Sequence, residues 1–322
     1  MRLAVRRQGD DKMARRAGLS LIEVLITIFV LSIGLLGVVT LVPVAHHQAR
    51  QGVINDHAAY VGRNQFRNFR IRNFTSYDHW YDKSGVRVEL PQPGDTFCID
   101  PRYVAATADP NPRFAQWMPR VTVFSGGLDP LVAKSIADEL FVGQDDLSLL
   151  AADNPDENPQ QLYTSDNPKR QSDGQFSWMA TAVFLPGDTI RLSLVVFHQR
   201  STLFGSLGDT SERTLELEFT GGGLAGGAAE LRGITDPDDF ELAAGQWIMV
   251  ANQVAPYHFR WYRVASVGII EEPQNRLNVT LEGPDRFNQQ LTYQARATIV
   301  EGVVAVYEKI IHVDSSSQWD RF

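Results

Sequence analysis

Residues 15–45 read RRAGLSLIEVLITIFVLSIGLLGVVTLVPVA. A basic cluster ends at Ala17 and Gly18, and the apolar run 19–45 that follows contains Glu23 as its single ionisable residue. A membrane-spanning helix needs about 20 mostly apolar residues, so this run predicts a helix that crosses a bilayer. A charge at the centre of such a helix costs about 2.5–3.5 kcal/mol and is usually paired. Glu23 lies near the start of the run, which lowers this cost but does not supply a partner.

Two simpler interpretations fit the run less well. A cleaved secretory signal has an apolar core of about 7–15 residues and small residues at positions −3 and −1 of the cut. The core here is roughly twice as long as that range, and a cut after Ala45 would place Pro43 at −3. A plain signal anchor fits the length of the run but leaves Glu23 unexplained.

The segment 18–24, Gly-Leu-Ser-Leu-Ile-Glu-Val, resembles the cleavage and methylation site of type IV prepilins and type II secretion pseudopilins. The continuation of the run resembles the minor-pilin and minor-pseudopilin branches. The resemblance implies that a prepilin peptidase cuts between Gly18 and Leu19, that Leu19 is N-methylated, and that Glu23 serves in subunit assembly. Leu19 replaces the commoner Phe or Met, and Pro43 lies slightly beyond the usual helix-breaking proline. Translation from Met13 would give the compact leader MARRAG with the same cut.

The physical chemistry of a cut at Gly18 agrees with this role. The new α-amine at Leu19 would have an unperturbed pKa of about 7.7–8. That cation can pair with Glu23 of a neighbouring subunit, where low dielectric penalises an unpaired charge. We therefore expect a structural minor pilin or pseudopilin subunit of a type IV pilus or a type II secretion pseudopilus.

The resemblance also implies partners and a location. The implied partners are the prepilin peptidase, other pilin or pseudopilin subunits, an inner-membrane assembly platform and membrane lipid. Short basic flanks stay in the cytoplasm, so we expect a single pass through the inner membrane with the N-terminus cytoplasmic. The bulk of the chain would be periplasmic or extracellular, and the subunit would join a filament after processing.

Two other classes of function are alternatives to a structural subunit: a membrane-anchored binding protein and an exported enzyme. A membrane-anchored binding module or adhesin would use the prepilin route only for delivery. An exported enzyme would need a reactive constellation, and no nucleophile elbow, metal-binding His pair, paired-carboxylate site or phosphate loop stands out in the sequence. We therefore expect no enzymatic activity, and the sequence predicts no catalytic residue, cofactor or metal ligand.

The net charge and the amino-acid composition narrow the possible functions further. The chain has a net charge of −8, and removal of residues 1–18, which carry +4, would leave −12. An acidic chain argues against a general nucleic-acid-binding surface, and no nucleic-acid partner is expected. The basic cluster of Arg63, Arg67, Arg70 and Arg72 is predicted to be a solvated helix face. Cys98 is the single cysteine and is predicted to be a buried small hydrophobe.

The remaining chain predicts many short elements. Loose helical spacing continues through 46–75, and residues 128–141 predict a short helix. The predicted strands cover residues 120–124, 176–184, 189–197, 214–220, 246–251, 260–267, 277–282 and 297–313. Apolar residues on both faces of 189–197 predict a central strand, and alternation in 214–220 predicts a half-buried one. Residues 144–170 predict an exposed loop, which is favoured over a calcium site.

The predicted fold class is α+β. A long N-terminal membrane-spanning helix packs on a β-rich pilin-like globular region, and a small β-barrel or sheet extension follows. The expected boundaries are a leader at 1–18, the helix at 19–75 with its membrane span at 19–45, the α+β region at 76–230 and the β-rich module at 231–322. The aromatic residues Trp247, Trp261 and Tyr262 are predicted to belong to a core rather than to a binding surface.

Overall fold

The computed structural model describes residues 20–82, 84–106, 118–124, 130–142, 147–149, 170–172, 175–200, 212–221, 226–235, 237, 240–253, 258–271, 273–284 and 294–313. Two compact units, Met1–Val53 and Ile54–Phe322, divide the chain. The helices are α1 (Leu21–Ile71), α2 (Pro101–Ala106) and α3 (Pro130–Phe141). The first unit contains the apolar half of α1, and the second contains the rest of α1 with the β-rich region.

The strands of the second unit form a sheet, a barrel and a short pair. In chain order they are β1 (Thr96–Ile99), β2 (Arg120–Val121), β3 (Leu147–Leu149), β4 (Arg170–Ser172), β5 (Phe176–Leu185), β6 (Thr189–His198), β7 (Glu212–Phe219), β8 (Gly226–Arg232), β9 (Trp247–Asn252), β10 (Arg260–Glu271), β11 (Arg276–Glu282), β12 (Gln294–Val300) and β13 (Val303–His312). The five-stranded sheet has the order β13-β6-β5-β1-β2. The six-stranded antiparallel barrel has the order β10-β11-β8-β7-β12-β9, and β3 pairs with β4. The predicted α+β class with a long N-terminal helix and a small barrel is confirmed.

The hairpin of β5 and β6 forms the centre of the sheet. The two strands pair antiparallel over ten residue pairs, from Phe176–His198 to Leu185–Thr189. Gly187 and Asp188 in the connecting turn have φ values of +81° and +50°, a conformation that glycine adopts without strain and aspartate tolerates. This local turn chemistry is why both strands were predictable from sequence.

Each face of the hairpin is covered by a different part of the second unit. On one face, Trp178, Ala180 and Leu194 belong to a core that also contains Ala58, Val61 and Phe69 of α1. On the other face, Met179, Val183, Val195 and Phe197 pack with Met249 and Trp261 from the outer surface of the barrel. The central position predicted for residues 189–197 is confirmed, because successive side chains of β6 enter opposite cores.

Helix α1 ends earlier than the predicted residue 75. Asn73 has a φ of +56°, and the N–H of Phe74 donates to the carbonyl of Phe69 at 2.9 Å. The N–H of Asn73 donates to the carbonyl of Arg70 at 3.1 Å. These two bonds form a Schellman motif with Asn73 at the left-handed position. The rings of Phe69 and Phe74 are 5.7 Å apart, which adds the hydrophobic contact that often accompanies this motif.

The barrel encloses its own core. Leu215, Leu217 and Phe219 of β7 point inward and are buried, whereas Glu216 is exposed. They join Ile248, Val250, Tyr262 and Val264 and the apolar residues of β8, β11 and β12. The half-buried strand predicted for residues 214–220 is confirmed.

One predicted strand, 297–313, is wrong. It consists of two strands, β12 and β13, separated by a turn at Glu301 and Gly302, where Gly302 has a φ of +78°. Strand β12 belongs to the barrel, whereas β13 pairs antiparallel with β6 in the sheet. A continuous apolar pattern does not reveal that a strand changes partners, so the sequence did not signal the break.

The sheets also divide the chain differently from the expected boundary at residue 231. Strands β7 and β8 belong to the barrel although most of their residues precede 231, and β13 returns to the sheet. The N–H of His198, at the end of β6, donates to the carbonyl of Gly302 at 2.7 Å. The barrel is therefore inserted between two strands that lie side by side. The predicted exposed loop 144–170 is described only in part. Residues 147–149 pair with residues 170–172, and residues 144–146 and 150–169 lie outside the described residues.

Candidate assembly site

The first turn of α1 carries Glu23. The carbonyl of Ser20 accepts hydrogen bonds from the N–H groups of Glu23 at 3.0 Å and Val24 at 3.2 Å. Ser20 therefore occupies the N-cap position, and Glu23 follows three residues later with the Ser-x-x-Glu spacing of a capping box. An acidic side chain in the first turn also interacts favourably with the positive end of the helix. Ser20 is not among the predicted site residues, although the Ser-x-x-Glu spacing in the sequence indicates its capping role.

Glu23 lacks a cationic partner within its own protomer as far as the structure describes it. The residue is exposed, and none of the salt bridges among the described residues includes it. Any counter-ion of Glu23 would therefore lie outside the described residues of this protomer. Gly18 and Leu19 lie outside the described residues, so cleavage between them and methylation of Leu19 stay predictions.

Three other polar side chains of the apolar run form hydrogen bonds within the helix. The hydroxyl of Thr27 donates to the carbonyl of Glu23 at 2.9 Å, and that of Ser32 donates to Ile28 at 2.7 Å. The hydroxyl of Thr40 donates to the carbonyl of Gly37 at 2.9 Å. Local bonds of this kind let hydroxyl groups enter a membrane helix at low cost. Glu23 differs from these neighbours, because an ionised carboxylate has no proton to donate to a backbone carbonyl and carries a full charge.

The first half of α1 is apolar around its whole circumference. Its large hydrophobic side chains are exposed in the chain by itself, from 41% at Val24 to 78% at Leu21. A helix that is hydrophobic on all sides is a membrane span or the core of a larger assembly. It is also the one described helix long and apolar enough to cross a membrane. The length and composition of this helix are consistent with a single-pass, membrane-anchored protein.

A second group of charged residues lies where the sheet meets the barrel. We call Asp100, Arg120, Arg200 and Glu212 the buried ionic cluster, and each of these side chains is at most 6% exposed. Arg200 donates to both carboxylate oxygens of Asp100, at 3.0 and 2.6 Å. Arg120 binds Asp100 at 3.4 Å and also pairs with Glu212, the first residue of the barrel.

The cluster is built to stay charged. Burial alone would raise the pKa of Asp100, but the charge and hydrogen bonds of Arg200, with help from Arg120, hold this pKa below its usual value. Burial opposes the charge of Arg120 and Arg200 too, yet the neighbouring carboxylates raise both guanidinium pKa values. Two cations and two anions therefore compensate each other, which suits a structural connection rather than proton transfer.

Cys98 lies beside this cluster and is fully buried. Burial is the main reason that the pKa of its thiol rises to about 12. Its sulfur lies 3.6 Å from that of Met179 in the core between sheet and barrel. Because the thiolate is the reactive form of cysteine, this residue is a core side chain, as predicted.

Other predicted features divide between described and undescribed residues. Within the described ranges no group of three His, Cys, Asp or Glu side chains is arranged to hold a metal ion. The acidic loop considered as a calcium site falls largely outside those ranges.

Arg63, Arg67, Arg70 and Arg72 are exposed, as predicted for a solvated face. Trp261 and Tyr262 are buried as predicted, whereas Trp247 is half-buried.

Comparison with known proteins places the N-terminal segment in a recognised group. Residues 13–39 match the family model of the prokaryotic N-terminal methylation motif. No curated protein matches the chain. The motif suggests a structural protein, and it implies processing by prepilin peptidase and assembly with other pilin subunits. The match at residues 13–39 supports assignment of the chain to a type IV prepilin- or pseudopilin-like family.

Proposed function

We propose that this chain is a structural minor pilin or pseudopilin, processed after Gly18 and incorporated through its N-terminal helix into a type IV pilus or a type II secretion pseudopilus. The observation that carries this proposal is an exposed carboxylate, Glu23, in the first turn of a helix whose other described residues as far as Ala45 are uncharged. The match to the methylation motif over residues 13–39 supports it.

In this proposal Glu23 selects the position of the neighbouring subunit. The N-terminal amine of one processed subunit approaches Glu23 of another, and both charges are neutralised inside the bundle of helices. An unpaired charge in such a setting is penalised by several kcal/mol, whereas removal of one partner of a buried pair costs about 3–5 kcal/mol. The apolar circumference of α1 then moves from lipid to contacts with other helices, at little cost because both surroundings are apolar.

The location follows from the same helix. The basic residues before α1 remain cytoplasmic by the positive-inside rule, and the unit Ile54–Phe322 lies on the periplasmic or extracellular side of the inner membrane. In the filament this unit forms the outer surface, where it sets the position of the subunit or contacts a partner. An inner-membrane assembly platform and the prepilin peptidase are the further partners in this proposal.

Mass spectrometry of the mature protein tests the processing step. Cells that express an active prepilin peptidase should yield a chain that begins at N-methylated Leu19, and replacement of Gly18 by Val should leave the leader attached. A mature chain that retains residues 1–18 in such cells would contradict the proposal. The same result is expected whether translation begins at Met1 or at Met13.

Co-purification with filaments tests the assembly step. Glu23→Ala should insert in the membrane and be processed normally but enter filaments at least about tenfold less well, since 1.4 kcal/mol corresponds to a factor of ten. Ser32→Ala is the matched control, because the hydroxyl of Ser32 is satisfied within its own helix. Equal incorporation of both variants, or normal processing without any filament association of the wild type, would favour the alternative of a membrane-anchored binding module.

A further inference from the structure

We propose that a cavity beside Trp247 binds a neutral, hydroxylated ring, such as one hexose of a glycan. The cavity has a volume of about 380 Å³, and we call it the Trp247 pocket. It is lined by Trp247, Trp261, Arg263, Glu282, Gly283, Pro284, Val306 and Glu308. The volume falls within the range of about 300–1,000 Å³ that is typical of small-molecule sites.

Two indole rings and an aliphatic side chain form the apolar wall of the Trp247 pocket. Trp261 is held in place because its Nε1 donates to the hydroxyl of Thr181 at 3.1 Å. Trp247 is half-buried and keeps part of its ring accessible, and Val306 of β13 completes the wall. A flat apolar surface of this kind suits the C–H face of a sugar ring, and the fixed ring of Trp261 loses little side-chain entropy on binding.

A polar row runs beside this wall across three strands of the barrel. Arg263 of β10 is the direct cross-strand partner of Trp247 in β9 and of Glu282 in β11. Side chains opposite each other in this way have Cβ atoms about 4.5–5.5 Å apart. Nε of Arg263 donates to the carbonyl of Gly245 at 3.3 Å. An indole, a guanidinium that donates and a carboxylate that accepts are therefore neighbours on three adjacent strands, which matches the donors and acceptors of adjacent hydroxyl groups.

The charges of the lining favour a neutral ligand. Arg263 and Glu282 have opposite charges on neighbouring strands. The carboxylate of Glu308 accepts a hydrogen bond from Nη1 of Arg260 at 3.1 Å and forms a salt bridge with Nε of Arg191 at 3.4 Å, so its charge is compensated from behind the wall. Glu282 has Arg263 as its direct cross-strand partner, so the lining offers hydrogen-bond donors and acceptors side by side rather than charge of a single sign, which suits a neutral polar ligand.

The edge formed by Gly283 and Pro284 depends on a close approach to the barrel. A Cβ atom added to Gly283 would lie 2.5 Å from the ring of Tyr262, which is fully buried. Glycine therefore lets this edge of the pocket lie against the barrel core. The pocket lies wholly within the unit Ile54–Phe322 and is independent of processing and assembly, so its test is separate from that of the proposed function.

Ligand-observed saturation-transfer NMR on the full-length chain tests the proposal. The protein is held in a detergent without a sugar headgroup and is titrated with maltose, cellobiose, lactose and N,N′-diacetylchitobiose. We expect saturation transfer to the ring protons of at least one disaccharide and none to choline or citrate. Trp247→Leu should weaken binding at least about tenfold, and Glu282→Gln at least about threefold, because each removes one side of the recognition row.

The matched control for Glu282→Gln is Glu216→Gln, which changes an exposed glutamate elsewhere on the barrel and should leave binding unchanged. Thermal unfolding establishes that each variant is folded. If Trp247→Leu does not fold, the exposed residue Glu282 still decides the outcome. Absence of transfer to all four disaccharides, equal transfer in wild type and Glu282→Gln, or competition by choline or citrate would overturn the proposal.

Discussion

Arg200 and Asp100 form a bidentate ion pair in the interior of the β-rich unit, with Nη1–Oδ1 and Nη2–Oδ2 distances of 3.0 and 2.6 Å. Asp100 directly follows β1, and Arg200 lies just beyond β6, where the chain leaves the sheet for the barrel. Through Arg120 and Glu212 the pair is continuous with the first barrel strand. The connection between sheet and barrel therefore depends on charges that have been removed from water.

Removal of one charge from this cluster should be costly. We expect Asp100→Asn to lower the free energy of unfolding by about 3–5 kcal/mol, because it leaves buried guanidinium charge without compensation. Urea unfolding of the full-length protein in detergent, followed by tryptophan fluorescence, measures this loss. Asp78→Asn is the matched control, since its partner Arg87 is 55% exposed, and we expect a loss of about 0–1 kcal/mol. Similar losses in the two variants would contradict this account.

The same pair should make stability depend on acid pH. The pKa of Asp100 is lower in the folded chain than its ordinary value, so the unfolded chain binds the additional proton first as pH falls. The contribution of Asp100 should be complete above about pH 5 and should decline below about pH 4. Free energies of unfolding measured between about pH 2.5 and 6 should show a shallower slope for Asp100→Asn than for Asp78→Asn. Identical slopes would exclude Asp100 as a main source of acid sensitivity.

The contact of α1 with β13 should tolerate no added atom at Gly62. A Cβ atom there would overlap the ring of Tyr307, so we expect Gly62→Ala to cost about 1–3 kcal/mol through overpacking. Gly52 lies in the same helix with no atom near its missing Cβ. Gly52→Ala should therefore be neutral or stabilising by up to about 1 kcal/mol.

A double-mutant cycle separates this contact from a general effect of alanine. If Tyr307 is the obstacle, Tyr307→Leu should reduce the additional cost of Gly62→Ala by at least about 0.5 kcal/mol. Urea unfolding of the two single variants and the double variant gives the coupling free energy. Strict additivity would place the strain elsewhere in the helix.

Cys98 should resist alkylation in the folded protein. Its thiol is fully buried and its pKa is about 12, so little thiolate is present at pH 8 and reagent cannot reach it. Mass spectrometry after treatment with iodoacetamide should find Cys98 unmodified without denaturant and fully modified in urea. Ile269→Cys in a Cys98→Ser background is the control, because Ile269 is 88% exposed. Rapid native labelling of Cys98 would show that the core between sheet and barrel opens readily.

The elements predictable from sequence are those specified by neighbouring residues. The β5–β6 hairpin carries its own turn at Gly187 and Asp188, and residues 215–219 of β7 alternate between buried and more accessible positions. The length and composition of the apolar run around Glu23 likewise predict a membrane-spanning helix. In each case the physical cause, a turn conformation or a periodicity, lies within about ten residues of the chain.

The features that could not be predicted depend on pairing between distant residues. Asp100 and Arg200 are separated by 100 positions, and neither carries a local signal of its partner. The row of Trp247, Arg263 and Glu282 exists because of the strand register, which a linear pattern does not contain. The return of β13 to the sheet was missed for the same reason, whereas Asn73 offered a local sign of the helix end.

The position of the barrel has an evolutionary consequence. The chain departs after His198 and comes back at Gly302, two residues joined by a backbone hydrogen bond of 2.7 Å, so a tight hairpin could replace roughly a hundred residues of chain without moving either flanking strand. The geometry therefore permits loss or exchange of the inserted module while the five-stranded sheet is kept. An insertion or deletion at this place would also leave the residues of α1 untouched.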